Sequence, residues 1–358
     1  MTARKIEYGS EFDWQANMAF AGGSEIPDEW QLFRSGRDAL RAFARLAGRK
    51  RVLLPALCCE SMILPFVQNG YEPVFYRMKG NLSADEEDLL GKCRRGDILL
   101  YMRYFGVRPF PDDFLSTLRE ENGLLMLEDR THDILIRREA DDFRPDAVAA
   151  SLRKWAALPE GGMLETSLGR PAAKTDPAYG DLRLSAMKEK SNYLETGNEE
   201  LRPVYLEKFR QAEQLLDRNR EPVAMSPQYK EILQGLDLAA IHAARVHNLR
   251  RLQERLDVLF SAGIIRPLIS EPERSGLYLP LLVSGRDRVQ RELIRRRIYC
   301  PAAIWPEPEA AAGVCPVSHS ITEHMLSVLC DQRCGKADID LIAENLIEIL
   351  TEEGERKR

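Results

Sequence analysis

The sequence predicts an α/β protein. A large domain carries a mostly parallel sheet flanked by helices, and a smaller C-terminal α/β domain follows. Three observations predict it. Between Arg51 and Leu127, short and almost wholly apolar runs alternate with helical patterns, as strands buried on both faces require. A long periodicity through Ile241, Val246, Leu249, Leu252 and Leu256 gives a bridging helix. Beyond it, two more strand-like runs are interleaved with helices. The 358 residues suffice for both units. We place an N-terminal arm and large domain in 1–235, with a helical insertion at about 184–225, and a small domain in 236–358.

Hydrophobic residues make up 44% and charged residues 30%, with a net charge of −5, as in an ordinary globular protein. That balance argues against nucleic acid or an acidic membrane as partner. The basic clusters at Arg49–Arg51 and Arg295–Arg297 are too short for a binding stripe. The first ten residues are polar and no apolar run is long enough to span a bilayer, so the expected compartment is the cytoplasm. The seven cysteines form an odd set without a scaffold rhythm and read as reduced thiols. His319, His324, Cys330 and Cys334 lie close together, but their spacings match no common zinc pattern. No metal is expected.

In chain order, residues 1–30 form an irregular arm with Trp14 and Trp30 as anchors. Ser35 or Gly36 can cap a helix running through Leu40, Phe43 and Leu46. The free N–H groups of such a start suit a phosphate, although a plain capped helix explains the pattern equally. Strands follow at 51–55, 73–76, 97–101 and 124–127, with helices at 59–69 and 112–121. Ligands of such sheets bind beyond the carboxyl ends of the strands. Asp129 and His132 stand beyond the 124–127 strand, and Arg103 and Tyr104 beyond the 97–101 strand. Asp129 could pair with a protonated pyridine nitrogen or only cap the next turn. His132 could touch the ring or satisfy a local bond.

A strand at 146–150 leads into Ser151-Leu-Arg-Lys154-Trp-Ala-Ala-Leu-Pro-Glu-Gly-Gly162, and another strand follows at 163–166. A lysine beside Trp155 and alanines can be desolvated, which lowers its pKa and makes the amine a usable nucleophile. Lys154 is therefore read as a residue that holds pyridoxal phosphate (PLP) as a Schiff base. The plainer alternative is a surface lysine on a turn. No GxGxxG, GxxxxGK[ST] or GxSxG motif stands where it would argue for another α/β enzyme class.

After a loop at 168–182, the pattern is helical from Leu184 to about Arg218. Strands are expected at 277–283 and 298–300, and helices at 288–296, 321–328 and 337–350. Pro280 suggests an edge strand or a bulge. The tail from Glu352 reads as frayed.

With these pieces placed, the sequence resembles the DegT/StrS family of PLP-dependent aminotransferases, which have the aspartate aminotransferase fold (fold type I). The resemblance spans most of the chain. It rests on Gly9-Ser-Glu-Phe12, Ser35-Gly36-Arg37, the run from Leu54-Pro-Ala through Gly70-Tyr-Glu-Pro-Val74, Glu128-Asp129-x-x-His132, Ser151-x-x-Lys154, Gly161-Gly162 and Leu329-Cys-Asp-Gln-Arg333. It implies that Lys154 binds PLP and shuttles a proton, and that Asp129 bonds the pyridine nitrogen. His132 takes the family's Gln/His position near the ring. Ser35, Gly36, Arg37 and Ser151 hold the phosphate, and Asn192 reaches the partner subunit's phosphate.

The chain departs from the family twice. Cys59 stands where many members stack an aromatic ring on PLP, and the Ser-to-Lys spacing is short. The resemblance implies a homodimer and amino transfer from an amino acid, glutamate by analogy, to a keto acceptor such as a nucleotide-linked keto sugar. Alternatives are another PLP reaction on an amino acid or sugar, and a non-catalytic sugar-nucleotide-binding relative.

Overall fold

A computed structural model describes residues 7–136, 143–300 and 306–356. Its elements in chain order begin with β1 (Tyr8–Gly9), β2 (Gln31–Phe33), α1 (Gly36–Ala47), β3 (Arg51–Pro55), α2 (Glu60–Val67), β4 (Glu72–Tyr76), α3 (Glu86–Lys92) and β5 (Ile98–Met102). They continue with α4 (Asp112–Asn122), β6 (Leu125–Asp129), β7 (Ala147–Ser151), β8 (Gly162–Thr166), β9 (Lys174–Thr175), α5 (Ala178–Thr196), α6 (Leu201–Arg218) and β10 (Val223–Ala224). The rest are α7 (Pro227–Gln234), α8 (Leu238–Ser261), β11 (Ile265–Pro267), β12 (Tyr278–Val283), α9 (Arg286–Arg295), β13 (Ile298–Tyr299), α10 (Pro316–His324), β14 (Met325–Leu329) and α11 (Lys336–Arg356).

The main sheet has the order β4-β3-β5-β6-β7-β8-β2-β10-β9. Strands β4, β3, β5, β6 and β7 are parallel, and β8 returns antiparallel to β7. Every residue of β5 and β6 is buried, which is why these strands are continuous apolar runs rather than alternating ones. Helices α1, α2 and α4 supply Leu40, Phe43, Met62, Phe66, Leu115 and Leu118 to the same core. Each such side chain is worth about 1.5–3 kcal/mol relative to exposure.

Helix α1 begins as its sequence indicates. The Ser35 hydroxyl accepts from the Asp38 N–H and donates to the Asp38 carboxylate, satisfying one orphan donor of the first turn. Asp38 is fully buried between Arg34 (2.9 Å) and Arg41 (3.2 Å). The helix ends at Gly48 in the left-handed region, φ 58°.

A smaller antiparallel sheet, β11-β12-β14, packs with α8, α9 and α11 around Leu252, Leu256, Leu281, Val328, Ile342 and Leu346. Helix α8 joins the two regions. Its Ile241 packs in the cluster around Trp155, and its later leucines pack on the small sheet. No helix among the described residues is long and apolar enough to cross a membrane.

The structure departs from the sequence expectations in four places. The helix expected over 321–328 stops at His324, and Met325–Leu329 is strand β14. All five of its residues are buried and pair antiparallel with β12, so tertiary pairing decides the conformation of a short apolar run. Pro280 lies in the middle strand of the small sheet, opposite Ser327, rather than at an edge. Its carbonyl still accepts from the Leu268 N–H at 2.9 Å. The helical pattern expected from Leu184 starts earlier, at Ala178, and breaks into α5 and α6. Gly197 takes the left-handed conformation (φ 69°) at the C-terminus of α5. Helix α11 continues to Arg356 instead of fraying at Glu352.

The entry to β8 holds a buried acid. Glu160 is fully buried and accepts from the Ser226 N–H (2.7 Å) and hydroxyl (3.2 Å). Burial pushes its carboxyl up to about 7, against the lowering by Ser226 and Arg34. The folded state therefore keeps a proton that the unfolded chain, with its value near 4.5, gives up. The stability this contributes is complete below the unfolded value and is lost as pH rises through about 7. Urea unfolding across this window is expected to show a decline of order 1–3 kcal/mol that Glu160→Gln removes. Asp133, raised by burial to about 6, adds a decline of the same sign that the variant keeps.

Candidate active site

The carboxyl ends of β5, β6 and β7 and the starts of α1 and α2 enclose a cavity of about 620 Å³. Its walls include Ser35, Gly36, Arg37, Cys59, Asp129, Ser151 and Lys154. One space thus holds seven of the nine residues expected from the sequence, drawn from four separate stretches.

Lys154 is positioned by a tight turn. Strand β7 ends at Ser151, and a single 3-10 turn, Leu152–Lys154, follows. The Leu152 N–H donates to the Gly161 carbonyl at 2.8 Å. Trp155, fully buried, donates from its indole Nε1 to the Thr131 carbonyl at 2.8 Å. Arg245 of α8 donates to the Trp155 carbonyl (3.2 Å) and the Lys154 carbonyl (3.4 Å). Gln332 donates to the same Trp155 carbonyl at 2.9 Å. The lysine loop is thus clamped from α8 and from the segment after β14. Burial lowers the pKa of Lys154, and Arg153 adds to this, while Cys59 and Asp129 act in the other direction. A larger neutral fraction is the state a nucleophilic amine needs.

Asp129 is the last residue of β6 and is buried. Its Oδ1 accepts the Thr131 N–H at 2.8 Å. Burial raises its pKa, and Thr131 and Lys154 pull it back down. Thr131 also accepts the Ser151 N–H at 3.1 Å, so it ties the acid's strand to the lysine's strand. No pattern in the sequence marks this threonine for that role.

At the opposite wall, Ser35 and Gly36 lie against Ser151 and Gly162. A Cβ on Gly162 would fall 2.0 Å from the Ser35 carbonyl oxygen, and one on Gly36 would fall 3.2 Å from Ser151 Cβ. The approach at Gly162 leaves no room for any side chain, and that at Gly36 is tight. The first backbone bond of the turn runs from the Ala39 N–H to the Ser35 carbonyl. The N–H groups of Gly36 and Arg37 precede it, at the positive end of the α1 dipole.

Two expected residues lie elsewhere. His132 is fully buried behind the cavity wall, its ring 4.8 Å from that of Phe105. Burial, then the Lys154 charge, lowers its pKa well below the usual range. Asn192 sits on the exposed face of α5 and does not line this chain's cavity. Arg103 and Tyr104 are packing residues: Arg103 pairs with Glu128 at 2.6 Å, and the Tyr104 hydroxyl donates to the Leu57 carbonyl. Cys59 lines the cavity as the N-cap of α2, and burial raises its thiol pKa. Among the described residues no group of His, Cys, Asp and Glu side chains could hold a metal ion.

Part of the wall was not expected from the sequence: Arg153, Arg183, Glu213 and Glu11 line the cavity beside Arg37. An arginine next to the lysine and an acid three residues before Leu216 carry no motif, so no local signal marks them.

No family model and no curated protein matches the sequence. Solved structures do. A DegT/DnrJ/EryC1/StrS aminotransferase from Brucella abortus superposes with a TM-score of 0.61 at 18% identity, covering 89% of this chain and 85% of its own. The aminotransferase TlmJ from Streptoalloteichus hindustanus gives 0.65 at 15%, covering 94% and 93%. NtdA from Bacillus subtilis, solved with bound cofactor PMP, gives 0.65 at 12%, covering 90% and 73%. This chain has the fold of the DegT/DnrJ/EryC1/StrS aminotransferases.

Proposed function

We propose that the chain is a PLP-dependent aminotransferase that moves an amino group from glutamate to a keto acceptor, a nucleotide-linked keto sugar. The reading rests above all on the joint placement in one cavity of a neutralisable amine, a buried carboxylate and a helix N-terminus. PLP demands this donor set: an amine for its aldehyde, an acid for its pyridine nitrogen and N–H donors for its phosphate. The close approach of Gly162 to the Ser35 carbonyl brings the start of α1 against the lysine's strand, beside Ser151. The residues present fit the group.

Lys154 would hold the cofactor at its aldehyde carbon, Asp129 at its ring nitrogen, and Gly36, Arg37 and Ser151 at its phosphate. Bound there, PLP supplies an electron sink for charge developing at the substrate's α-carbon. The Lys154 amine, free of the cofactor, would act as the general base that takes the proton from that carbon and delivers it two atoms away, as a 1,3-shift requires. Its burial lowers its pKa and so favours the neutral amine that accepts the proton. Thr131 fixes the angle of Asp129, and Arg245 and Gln332 keep the lysine loop from yielding when the amine is displaced. The same reading makes the functional unit a homodimer, with 1–235 as the cofactor-binding domain and 236–358 as the small domain.

The test is spectroscopic. Purified protein with PLP is expected to show a visible absorbance band, and glutamate to discharge it while forming one equivalent of 2-oxoglutarate per site. A band that persists with glutamate but responds to another amine would overturn the donor. Absence of any PLP-dependent band would overturn the cofactor.

A further inference from the structure

Three arginines meet on one acid at the rim of the cavity. Arg37 of α1 reaches Glu213 of α6 at 2.6 Å, Arg153 reaches it at 3.2 Å, and Arg183 of α5 reaches it at 3.3 Å. Arg183 also pairs with Glu11 at 2.8 Å, and Arg37 with Asp217 at 2.5 Å. All of these except Asp217 line the cavity that holds Ser35, Gly36 and Ser151.

The cations are more deeply buried than the anions. The side chain of Arg183 is 5% exposed, and those of Arg37 and Arg153 are 15% exposed, whereas Glu213 is 37% and Glu11 45% exposed. The buried ring of Tyr179 cushions Arg153 at 5.4 Å and Arg183 at 6.0 Å, and Phe209 adds a second face under Arg183 at 4.9 Å. The buried Nε atoms of Arg153 and Arg183 have no hydrogen-bond partner among the described residues. Three guanidinium groups thus converge on a carboxylate that offers only two oxygens. A phosphate dianion offers more acceptors and more charge to the same groups.

We propose that Arg153 and Arg183, together with Arg37, form the side wall of the cofactor's phosphate subsite, and that the Glu213 carboxylate is a placeholder which the phosphate displaces. This inference rests on the PLP reading given above. Helices α5 and α6, which give the chain its unusual helical stretch, then have a role: they bring Arg183 and Glu213 to the phosphate end from the same chain. Asn192, expected to serve a partner's phosphate, stands on the opposite, exposed face of α5. Against burial, which pushes it up, Arg153, Arg183 and Arg37 hold the Glu213 carboxyl at about 2. Glu213 is ionised throughout the working range, so substitution and not pH is the way to remove it.

The experiment is calorimetric titration of the full chain with inorganic phosphate, pyridoxal and PLP. Glu213→Gln is expected to tighten phosphate and PLP binding roughly tenfold and to leave pyridoxal unchanged. A gain of this kind cannot come from misfolding. Arg183→Gln is expected to weaken phosphate and PLP by roughly 10–100-fold, again sparing pyridoxal, and Arg153→Gln, which also bears on the Lys154 amine, to weaken phosphate and PLP far more than pyridoxal. The proposal is overturned if Glu213→Gln leaves phosphate affinity unchanged or lower, or if the arginine variants weaken PLP and pyridoxal alike. Failure of the PLP reading looks different: the unsubstituted protein then forms no Lys154-dependent band with PLP, whatever the phosphate titrations report.

Discussion

Lys154→Ala is expected to abolish the PLP-dependent visible band and to lower transamination by at least about 10⁴-fold, because one change removes both the covalent anchor and the general base. The fold should survive. Lys154 is a buried amine whose pKa burial holds below the ordinary 10.5, so the native chain bears a cost for keeping it protonated. The sign follows from the proton count. Between its folded and unfolded values the unfolded state binds more protons, and the native chain therefore gains stability as pH rises through that window. The alanine variant lacks this rise and should melt at or above the native temperature near neutral pH. Thermal melts across pH, recorded beside the absorbance spectra, separate loss of chemistry from loss of structure. An alanine variant that keeps the band would sink the assignment of Lys154.

Asp129→Asn is expected to be the next most damaging change, on the order of 10²–10³-fold in kcat, since the counter-charge for the ring nitrogen disappears while the shape is kept. The amide oxygen can still accept the Thr131 N–H that Asp129 accepts at 2.8 Å, so the end of β6 should hold its place. Asp129 also supports the charged form of Lys154. Removing it moves the Lys154 titration to lower pH, and PLP capture should then begin at lower pH than in the native chain. Stopped-flow capture rates against pH read this directly. An unchanged profile with unchanged kcat would mean that the carboxylate does not face the ring.

Much of the site is legible because its residues punctuate regular elements. Asp129 closes a short apolar run set among alternating helices, Ser35 caps a helix, and Ser151 and Lys154 sit on the turn between two strands. Each stands where a parallel sheet exposes its strand ends, so sheet geometry brings them together. Strand β14 escapes this kind of reading because Met325–Leu329 lacks a period that separates strand from helix, and its partner β12 decides the matter. The break between α5 and α6 at Gly197 is hidden by apolar residues at helical spacing on both sides. Arg245 and Gln332, which clamp the lysine loop, come from 90 or more residues downstream of it and read locally as helix surface and turn.

Residue type alone is enough for the α/β class and the succession of buried strands along the chain, because burial on both faces is a local constraint; for Lys154, Asp129 and Ser35 it leaves plainer alternatives that only the resemblance to a family sets aside. It does not place His132 behind the cavity wall, turn Asn192 outward, or crowd Arg153, Arg183 and Glu213 at the phosphate end. Those outcomes depend on how α5 and α6 pack across the large sheet, and a long charged side chain carries no local record of which neighbour it will meet.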